Sequence, residues 1–472
     1  MNNVPQSEVR SVRKQISLIT DKFLGLAAES CGDFACVEEA ARIAILSFRE
    51  VLLTSGLRTS SKLSKQTYQC PNCSAALSGW IQKDRCVVTS EGEASYQPIR
   101  YRCANCCKDH YPLEEANGLH GSQFTTGAKA IISETAAEKP FAHVSRSLCK
   151  ERGISVSSKE VDRIVREVSG WRSTEEAWLT TSIYGEEAAL LREAGSDPMF
   201  SAPSLHGFGN WAEKTAVLIS VDGAHVRSTT KETDSLAWFE CRSGVIRSLG
   251  DGPVSTFYSG GVWTPDELFS QLGAVYHKDV ASDQVSVFVA DGASWIWDRV
   301  RLYFPKAIQV LDYYHANEHV GSAAVALFGE NSQASKEWRE KAAKRLLEPG
   351  GITSILKDIL QVMREPNRAA KPDELRKEFN YLYKHRKRMQ YFSLREKELP
   401  IGSGVMESAI KQLAVTRLRM PGMKWTKEGA NAVLKLRAAH LSHSLRMTTD
   451  RKHNALKAQS IQRYTIPLKV AA

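Results

Sequence analysis

Two apolar segments of the chain each end in an aspartate followed by a glycine. Asp222 lies in the run AVLISVDGAHV, and Asp291 ends the run VSVFVADG. Apolar, β-branched runs of this kind predict strands that are buried on both faces of a mixed sheet. A carboxylate cannot be buried there without a partner, because an unpaired buried charge is costly. One such aspartate is typical of a helix N-cap or a turn, but two at one rim of a sheet indicate a metal site.

A second set of candidate ligands is made of cysteines. Two Cys-x-x-Cys pairs supply four of them, namely Cys70, Cys73, Cys103 and Cys106. Two such knuckles at the tips of β-hairpins place four thiolates tetrahedrally, at ~2.3 Å from a zinc ion. So small a segment needs the metal for much of its folding free energy, so the pattern predicts a structural Zn²⁺ in a zinc ribbon. Cys86, Cys107 and His110 remain alternative ligands.

A helical segment follows the cysteines and has the pattern of a helix-turn-helix. A first helix ends at Gly153, and a second begins after the potential caps of the SVSS segment. Such a pair places its second helix in the major groove of DNA. Lys159, Arg163 and Arg166 would then face base edges or phosphates. Helix pairs joined by glycine also occur without any DNA-binding role.

Composition narrows the class of protein. The chain has 472 residues, a formal net charge of +10 and ten cysteines. A basic excess that clusters, as in the KHRKR segment at 384–388, favours a polyanionic partner. The sequence lacks an apolar run of the ~18 residues that a membrane span needs, and its N-terminus lacks the apolar core of a signal peptide. We therefore expect an intracellular protein whose cysteines are thiols or metal ligands rather than disulfides.

The elements that must position the two aspartates follow a recognisable order. Apolar patterning predicts strands ending at Asp222, over 236–246, over 254–258, ending at Asp291 and over 308–314, with helices before and after the last two. Three strands in a meander followed by alternation of helix and strand is the ribonuclease H-like order. In that arrangement both aspartates lie at one rim.

Four motifs of this region resemble a known family. They are VDGAHV at 221–226, VADGASW at 289–295, LDYYHANEHV at 311–320, and GSGVMESAIKQL with RLRMPGMKW within 402–425. Together they resemble the DDE transposases of bacterial insertion sequences, of the Kra type, and more distantly Mutator and hAT elements. The resemblance covers about residues 215–440. It implies a metal-binding triad of Asp222, Asp291 and Glu407, and a further motif formed by Asp312 and His315.

The resemblance also implies the chemistry. Three carboxylates suit hard divalent cations, here two Mg²⁺ ions or Mn²⁺, which clamp an in-line displacement at phosphorus. Asp222 is expected to bridge the ions, and His315 to contact the scissile phosphate or orient a ligand. Glu318 is the alternative third carboxylate, and His225 is expected to be structural.

An all-α insertion before Glu407 is expected to help hold DNA ends. With the helix-turn-helix and the residues after Glu407, it completes a set of predicted DNA contacts: Lys159, Arg163, Arg166, Lys384, Arg386, Arg388, Arg417, Arg419, Lys424 and Trp425. Trp425 could equally belong to the core.

The sequence thus predicts a multidomain α/β protein, with a ribonuclease H-like mixed-sheet catalytic core interrupted by an all-α insertion. The expected segments are an N-terminal helical region (1–66), a zinc ribbon (67–112), a helix-turn-helix domain (113–172), a linker (173–213), the core (214–330 and 401–446), the insertion (331–400) and a poorly ordered basic tail (447–472). The expected function is a DNA transposase that binds terminal inverted repeats, then cleaves and transfers strands. Double-stranded DNA, a homodimer and a cytoplasmic, nucleoid-associated location are expected. The alternatives are a domesticated DNA-binding regulator and a nuclease that does not integrate DNA.

Overall fold

The computed structural model describes residues 6–30, 32–63, 67–193, 201–208, 216–230, 237–250, 254–280, 284–365 and 369–464. The fold is mixed α/β. Its contacts divide the chain into two compact units, Met1–Arg172 with Leu445–Ala472, and Ser173–Ser444. None of the helices in the described ranges is long and apolar enough to cross a membrane.

The first unit begins with two long helices and continues into small antiparallel sheets. Its helices are α1 (Gln6–Glu29), α2 (Phe34–Leu63), α3 (Pro112–Ala116), α4 (Thr126–Glu138) and α5 (Phe141–Arg152). Its strands are β1 (Leu77–Ile81), β2 (Arg85–Thr89), β3 (Gly92–Tyr96), β4 (Ile99–Cys103) and β5 (Asp109–His110). Strands β1, β4 and β5 form one sheet, and β2 and β3 form a hairpin. The β1–β4–β5 sheet places both Cys-x-x-Cys pairs at its ends.

The predicted helix pair is present, but its second helix is much longer than expected. Helix α5 ends at Gly153, whose φ of 67° is the left-handed conformation that favours glycine at a helix end. The next helix, α6 (Ser158–Tyr184), is continuous over 27 residues. Its buried Val161, Ile164 and Val165 fix one face against the unit. The contacts divide the chain between Arg172 and Ser173, within this helix, and a short helix, α7 (Glu186–Glu193), follows.

The second unit is built on one five-stranded mixed sheet. Its elements are β6 (Ala216–Arg227), β7 (Trp238–Leu249), β8 (Thr256–Gly261), α8 (Pro265–Asp279), β9 (Val285–Ala290), α9 (Ser294–Tyr303), β10 (Ile308–Leu311) and α10 (Tyr313–Phe328). The strand order is β10-β9-β6-β7-β8. Strands β10, β9 and β6 run parallel, whereas β6, β7 and β8 form an antiparallel meander. The last strand is shorter than predicted, because Asp312 caps α10.

The remaining helices of this unit are α11 (Gln333–Arg345), α12 (Gly351–Met363), α13 (Pro372–His385), α14 (Tyr391–Glu396), α15 (Gly404–Ile410), α16 (Thr416–Leu418) and α17 (Lys427–Leu441). A π-helical turn over Lys411–Val415 joins α15 to α16. Buried Ile355, Leu375 and Leu382 of the insertion belong to the same hydrophobic core as the sheet. The insertion is therefore packed into this unit and is not a solvated excursion.

The chain returns to the first unit in a final helix, α18 (Leu445–Tyr464). Tyr464 is 1% exposed and packs with Tyr68 and Tyr101. Its hydroxyl donates to Glu115 at 2.6 Å, and the Ser460 hydroxyl donates to the Pro112 carbonyl at 2.9 Å. The prediction of a poorly ordered tail from residue 447 is therefore wrong for 447–464.

Candidate metal and nucleic-acid sites

Three aspartates lie at the same level on three neighbouring parallel strands. Ile219 of β6 pairs with Phe288 of β9, so Asp222 and Asp291, each three residues further on, are aligned. Strand β10 pairs Leu311 with Ala290, which aligns Asp312 with Asp291. Neighbouring strands lie ~4.8 Å apart. Asp291 and Asp312 directly follow β9 and β10, whereas Asp222 lies within β6, which continues to Arg227 instead of ending at Asp222 as predicted. The three positions form a row of acidic side chains.

These aspartates open into one cavity of about 280 Å³. Its lining is Val221, Asp222, Ala290, Asp291, Asp312, Tyr314, His315, Glu318, Ser403, Met406 and Glu407. Glu407 comes from the first turn of α15, where its backbone N–H donates to the Ser403 carbonyl at 3.0 Å. All five residues of the predicted catalytic set thus line the cavity, together with the alternative carboxylate Glu318.

Asp312 links two segments of the cavity wall through hydrogen bonds. It is 5% exposed. Its Oδ1 accepts from the backbone N–H of His315 at 2.8 Å, and its Oδ2 accepts from the backbone N–H of Ser403. Both oxygens are thus engaged with the start of α10 and the loop that leads to Glu407. Both bonds fix the Asp312 side chain, and the catalytic role that the family motif implies for it stays a prediction.

Asp222 and Asp291 keep one oxygen each for the cavity. The other oxygen of Asp222 accepts from the Gly223 N–H at 2.7 Å, and that of Asp291 from the Ala293 N–H at 2.9 Å. Asp222 is exposed at the cavity mouth. Partial desolvation by the surrounding protein raises the pKa of Asp222, and the hydrogen bond from the Gly223 N–H lowers it. The negative charges of Asp291 and Glu240 raise the pKa further. A cation between the carboxylates would relieve this repulsion.

The spacing of the carboxylates decides how many ions they suit. Among the described residues, the group whose ligand atoms all lie within 4.8 Å of one another is made of cysteines, not of these acids. Asp222, Asp291 and Glu407 are therefore too widely spaced to close around one ion. Two ions ~3.5–4 Å apart, each with ligands at ~2.1 Å, accept carboxylates that do not meet at one point. A two-ion site on these carboxylates stays a prediction.

The insertion contributes an aromatic side chain next to Asp291. An added Cβ on Gly292 would lie 1.7 Å from the Tyr381 hydroxyl, so only glycine fits after Asp291. Tyr381 stacks on His319 with ring centroids 3.6 Å apart, and His319 Nδ1 lies 2.6 Å from Glu378. Burial and then the charges of Asp291 and Glu378 raise the pKa of Tyr381. Sequence reasoning missed Tyr381, because no local pattern links it to a residue so distant in the chain.

The four predicted cysteines form a group that could hold a metal ion such as zinc. The Sγ atoms of Cys70 and Cys106 are 3.5 Å apart, and those of Cys73 and Cys103 are 3.3 Å apart. The backbone N–H of Cys106 lowers the pKa of Cys103, which favours the thiolate that a metal binds. Of the alternative ligands, Cys86 and Cys107 are exposed and outside the group. His110 is buried, with Nε2 3.5 Å from Cys70 Sγ.

The predicted DNA-binding cations of α6 are exposed but partly neutralised. Arg163 pairs with Glu160 at 2.6 Å and with Glu167 at 3.3 Å. Arg166 pairs with Asp162 at 2.9 Å. Lys159 is exposed at the start of the helix. This face therefore carries less free positive charge than the sequence suggested.

The basic cluster at the end of α13 is divided between surface and core. Lys384 is exposed. The Arg386 guanidinium lies 3.8 Å from the centre of the Tyr383 ring. Arg388 lies over the Trp297 ring at 4.3 Å and donates to Gln309 of β10 at 2.9 Å. Arg388 therefore ties the insertion to the sheet.

Two of the side chains after Glu407 that are predicted to contact DNA, Arg417 and Trp425, pack against each other. Arg417 is 1% exposed and lies 5.2 Å from the Trp425 ring centre. The Trp425 indole N–H donates to the Leu418 carbonyl at 3.1 Å. Arg417 is too buried to contact DNA, so that part of the prediction is wrong, whereas Trp425 is half-buried and its DNA contact stays a prediction.

Two neighbours of that pair remain at the surface. Arg419 is exposed and donates to the His225 carbonyl at 2.7 Å. Lys424 is exposed as well. These two side chains keep the predicted DNA-binding role open for the loop before α17.

Comparison with known proteins gives a family match and similarity to solved structures. The model of an uncharacterised protein family (UPF0236) matches residues 265–453, which include Asp291, His315 and Glu407 but not Asp222. No curated protein matches the chain. Among solved structures, the chain is similar to the Drosophila P element transposase strand transfer complex, with 10% identity over 71% of this chain and 83% of that one. The TM-score of 0.26 is too low to establish a common fold.

Proposed function

We propose that this chain is a DDE-type DNA transposase with a ribonuclease H-like core. The observation that carries the proposal is that Asp222, Asp291 and Glu407, far apart in the chain, line one cavity. The strand order, with a meander on one side of β6 and parallel strands on the other, supports the fold assignment. The motif resemblance supports the reaction class.

The chain's own residues supply the scaffold for phosphoryl transfer. Asp222, on the central strand, would hold both Mg²⁺ or Mn²⁺ ions, with Asp291 and Glu407 on either side. Bound ions would activate water or a DNA 3′-hydroxyl and stabilise the leaving oxygen. Asp312 fixes the loop before Glu407. His315, half-buried at the cavity wall, would contact the scissile phosphate or orient a ligand.

The rest of the proposal concerns recognition. The four-cysteine group would hold a structural Zn²⁺, and the first unit, with its helix-turn-helix, would bind the terminal inverted repeats. The protein would act as a homodimer, since two ends must be paired, on nucleoid DNA in the cytoplasm. The net charge of +10 supports a polyanionic partner.

The test is cleavage of DNA carrying the element's own ends, with Mg²⁺ or Mn²⁺. We expect Asp222→Asn, Asp291→Asn and Glu407→Gln to abolish cleavage and strand transfer while end binding stays nearly intact. Glu318→Gln is the matched control, because it removes a carboxylate from the same cavity that the proposal does not use. Undiminished cutting by Asp222→Asn would refute the proposal. Loss of cutting in Glu318→Gln but not in Glu407→Gln would reassign the third carboxylate.

A further inference from the structure

The first unit contains a groove larger than the carboxylate cavity. It has a volume of about 910 Å³ and lies between β5, the loop after α3, helix α6 and helix α18. Six of its lining residues carry the inference: Lys108, Lys129, Arg163, Trp171, Lys452 and Arg463. Five of these six are cationic, and with the three acidic residues of the lining the groove keeps a formal charge of +2.

Most cations of the groove are already balanced by carboxylates. Lys129 pairs with Glu167 at 2.6 Å, and Arg463 pairs with Glu115 at 3.1 Å. Lys108 and Lys452 have no ion-pair partner among the residues that the structure describes. These two lysines lie on different elements that both line the groove, so each can give a full charge to a ligand.

An aromatic ring lies among these cations. Trp171 is half-buried. Lys129 Nζ lies 5.5 Å and Lys452 Nζ 5.9 Å from its ring centre. An aromatic face next to lysines is the combination that proteins use for nucleic-acid strands, since the ring stacks on a base or sugar while the cations neutralise phosphates. A small anion would need the cations but not the ring.

We propose that this groove binds a strand of the DNA end, with phosphates at Lys108 and Lys452 and a sugar or base against Trp171. The inference rests on the proposed function and locates end binding within the first unit. It also assigns a function to α18, which the sequence did not reveal. Arg166 lies outside the groove lining and is paired with Asp162, so it is less suited to this role.

Helix α18 offers a matched control. Lys452, Leu456, Gln459 and Arg463 line the groove at helical spacing. Lys457 is exposed on the same helix and is not part of the lining. Lys452→Gln and Lys457→Gln therefore change the net charge equally but differ in whether the groove loses a cation.

The experiment measures binding of the full-length protein to fluorescently labelled end DNA by anisotropy, across a salt series. Loss of one phosphate contact lowers the slope of log K against log salt by ~0.9, which is about an 8-fold loss of affinity at 0.1 M salt that vanishes towards 1 M. We expect this result for Lys108→Gln and for Lys452→Gln, and wild-type binding for Lys457→Gln.

Equal binding by Lys452→Gln and Lys457→Gln would overturn the inference. An RNA duplex of the same sequence serves as a second probe. If Lys452→Gln weakened binding to the RNA duplex but not to the end DNA, the inference would also be overturned, because the groove would then bind RNA. Asp222→Asn in the same assay separates the two proposals, since it should bind like wild type. A wild-type protein that binds ends but does not cut them contradicts the proposed function and leaves the groove standing.

Discussion

Gly292 is a position next to the acidic cavity at which one added methyl group should be damaging. A Cβ there would lie 1.7 Å from the Tyr381 hydroxyl oxygen and 2.4 Å from Cζ. Ordinary contacts between such atoms are ~3.5–4.0 Å, so the ring would have to retreat by about 2 Å. It cannot do so freely, because it stacks on His319 at 3.6 Å and lies 4.7 Å from the His385 ring.

The expected cost of Gly292→Ala follows from these contacts. Overpacking in a filled core destabilises the folded state by ~1–3 kcal/mol. Alanine also lowers the conformational entropy of the unfolded chain, which offsets ~0.4–1 kcal/mol of this loss. The net loss is therefore about 1–2 kcal/mol, which lowers Tm by roughly 2–8 °C in a domain of this size. Because Gly292 follows Asp291 directly, the same displacement should also reduce cleavage.

Calorimetry of Gly292→Ala beside Gly404→Ala gives the measurement. An added Cβ on Gly404 meets nothing within 4 Å, so this control near the same cavity should melt like wild type or slightly higher. Combining Gly292→Ala with Tyr381→Ala should cost less than the sum of the two changes, because the clash is gone. A Gly292→Ala protein as stable as Gly404→Ala, with additive double-mutant energies, would refute the packing argument.

Two further predictions concern the metal group and a buried histidine. Removing metal with a chelator, or changing Cys103 to Ser, should make residues 67–112 exchange amide hydrogens faster than the sheet of the second unit; uniform protection would contradict a structural metal. Burial, and then the charges of Arg388 and Lys384, lower the pKa of His385 to about 4 from an ordinary 6.5. The unfolded chain therefore binds the proton more readily, so stability should fall as the pH drops from 6.5 towards 4. His385→Phe should flatten that part of a urea-midpoint profile, and an unchanged slope would contradict the assignment.

Much of the sheet could be predicted because the apolar pattern of each strand indicates that the strand is buried. An apolar run such as that before Asp222 or Asp291 fits few environments other than a buried strand. The Cys-x-x-Cys spacing is equally informative, because tetrahedral ligation demands it. These features depend on neighbours in sequence, which a single chain displays.

The features that escaped prediction depend on partners distant in sequence. The oxygens of Asp312 accept from the N–H groups of His315 and Ser403. No residue near Asp312 in the sequence indicates the bond to Ser403. An arginine and a tryptophan are typical of a DNA-binding surface, but the buried Arg417 guanidinium packs against the Trp425 ring. Helix α18 buries Thr448, Thr449, Ser460 and Tyr464 rather than an aliphatic stripe, so its polar sequence resembled a tail.

The docking of α18 has a consequence for how the protein is made. The first unit takes its last helix from the far end of the chain, and Tyr464 completes a cluster whose other rings are Tyr68 and Tyr101. The ribosome therefore releases the whole second unit before the first can close. A growing chain that lacks residues 445–464 has an incomplete groove, because Lys452 and Arg463 of this helix line it. The proposed binding of a DNA strand would therefore become available only after the residues of the sheet and its acidic cavity have been translated.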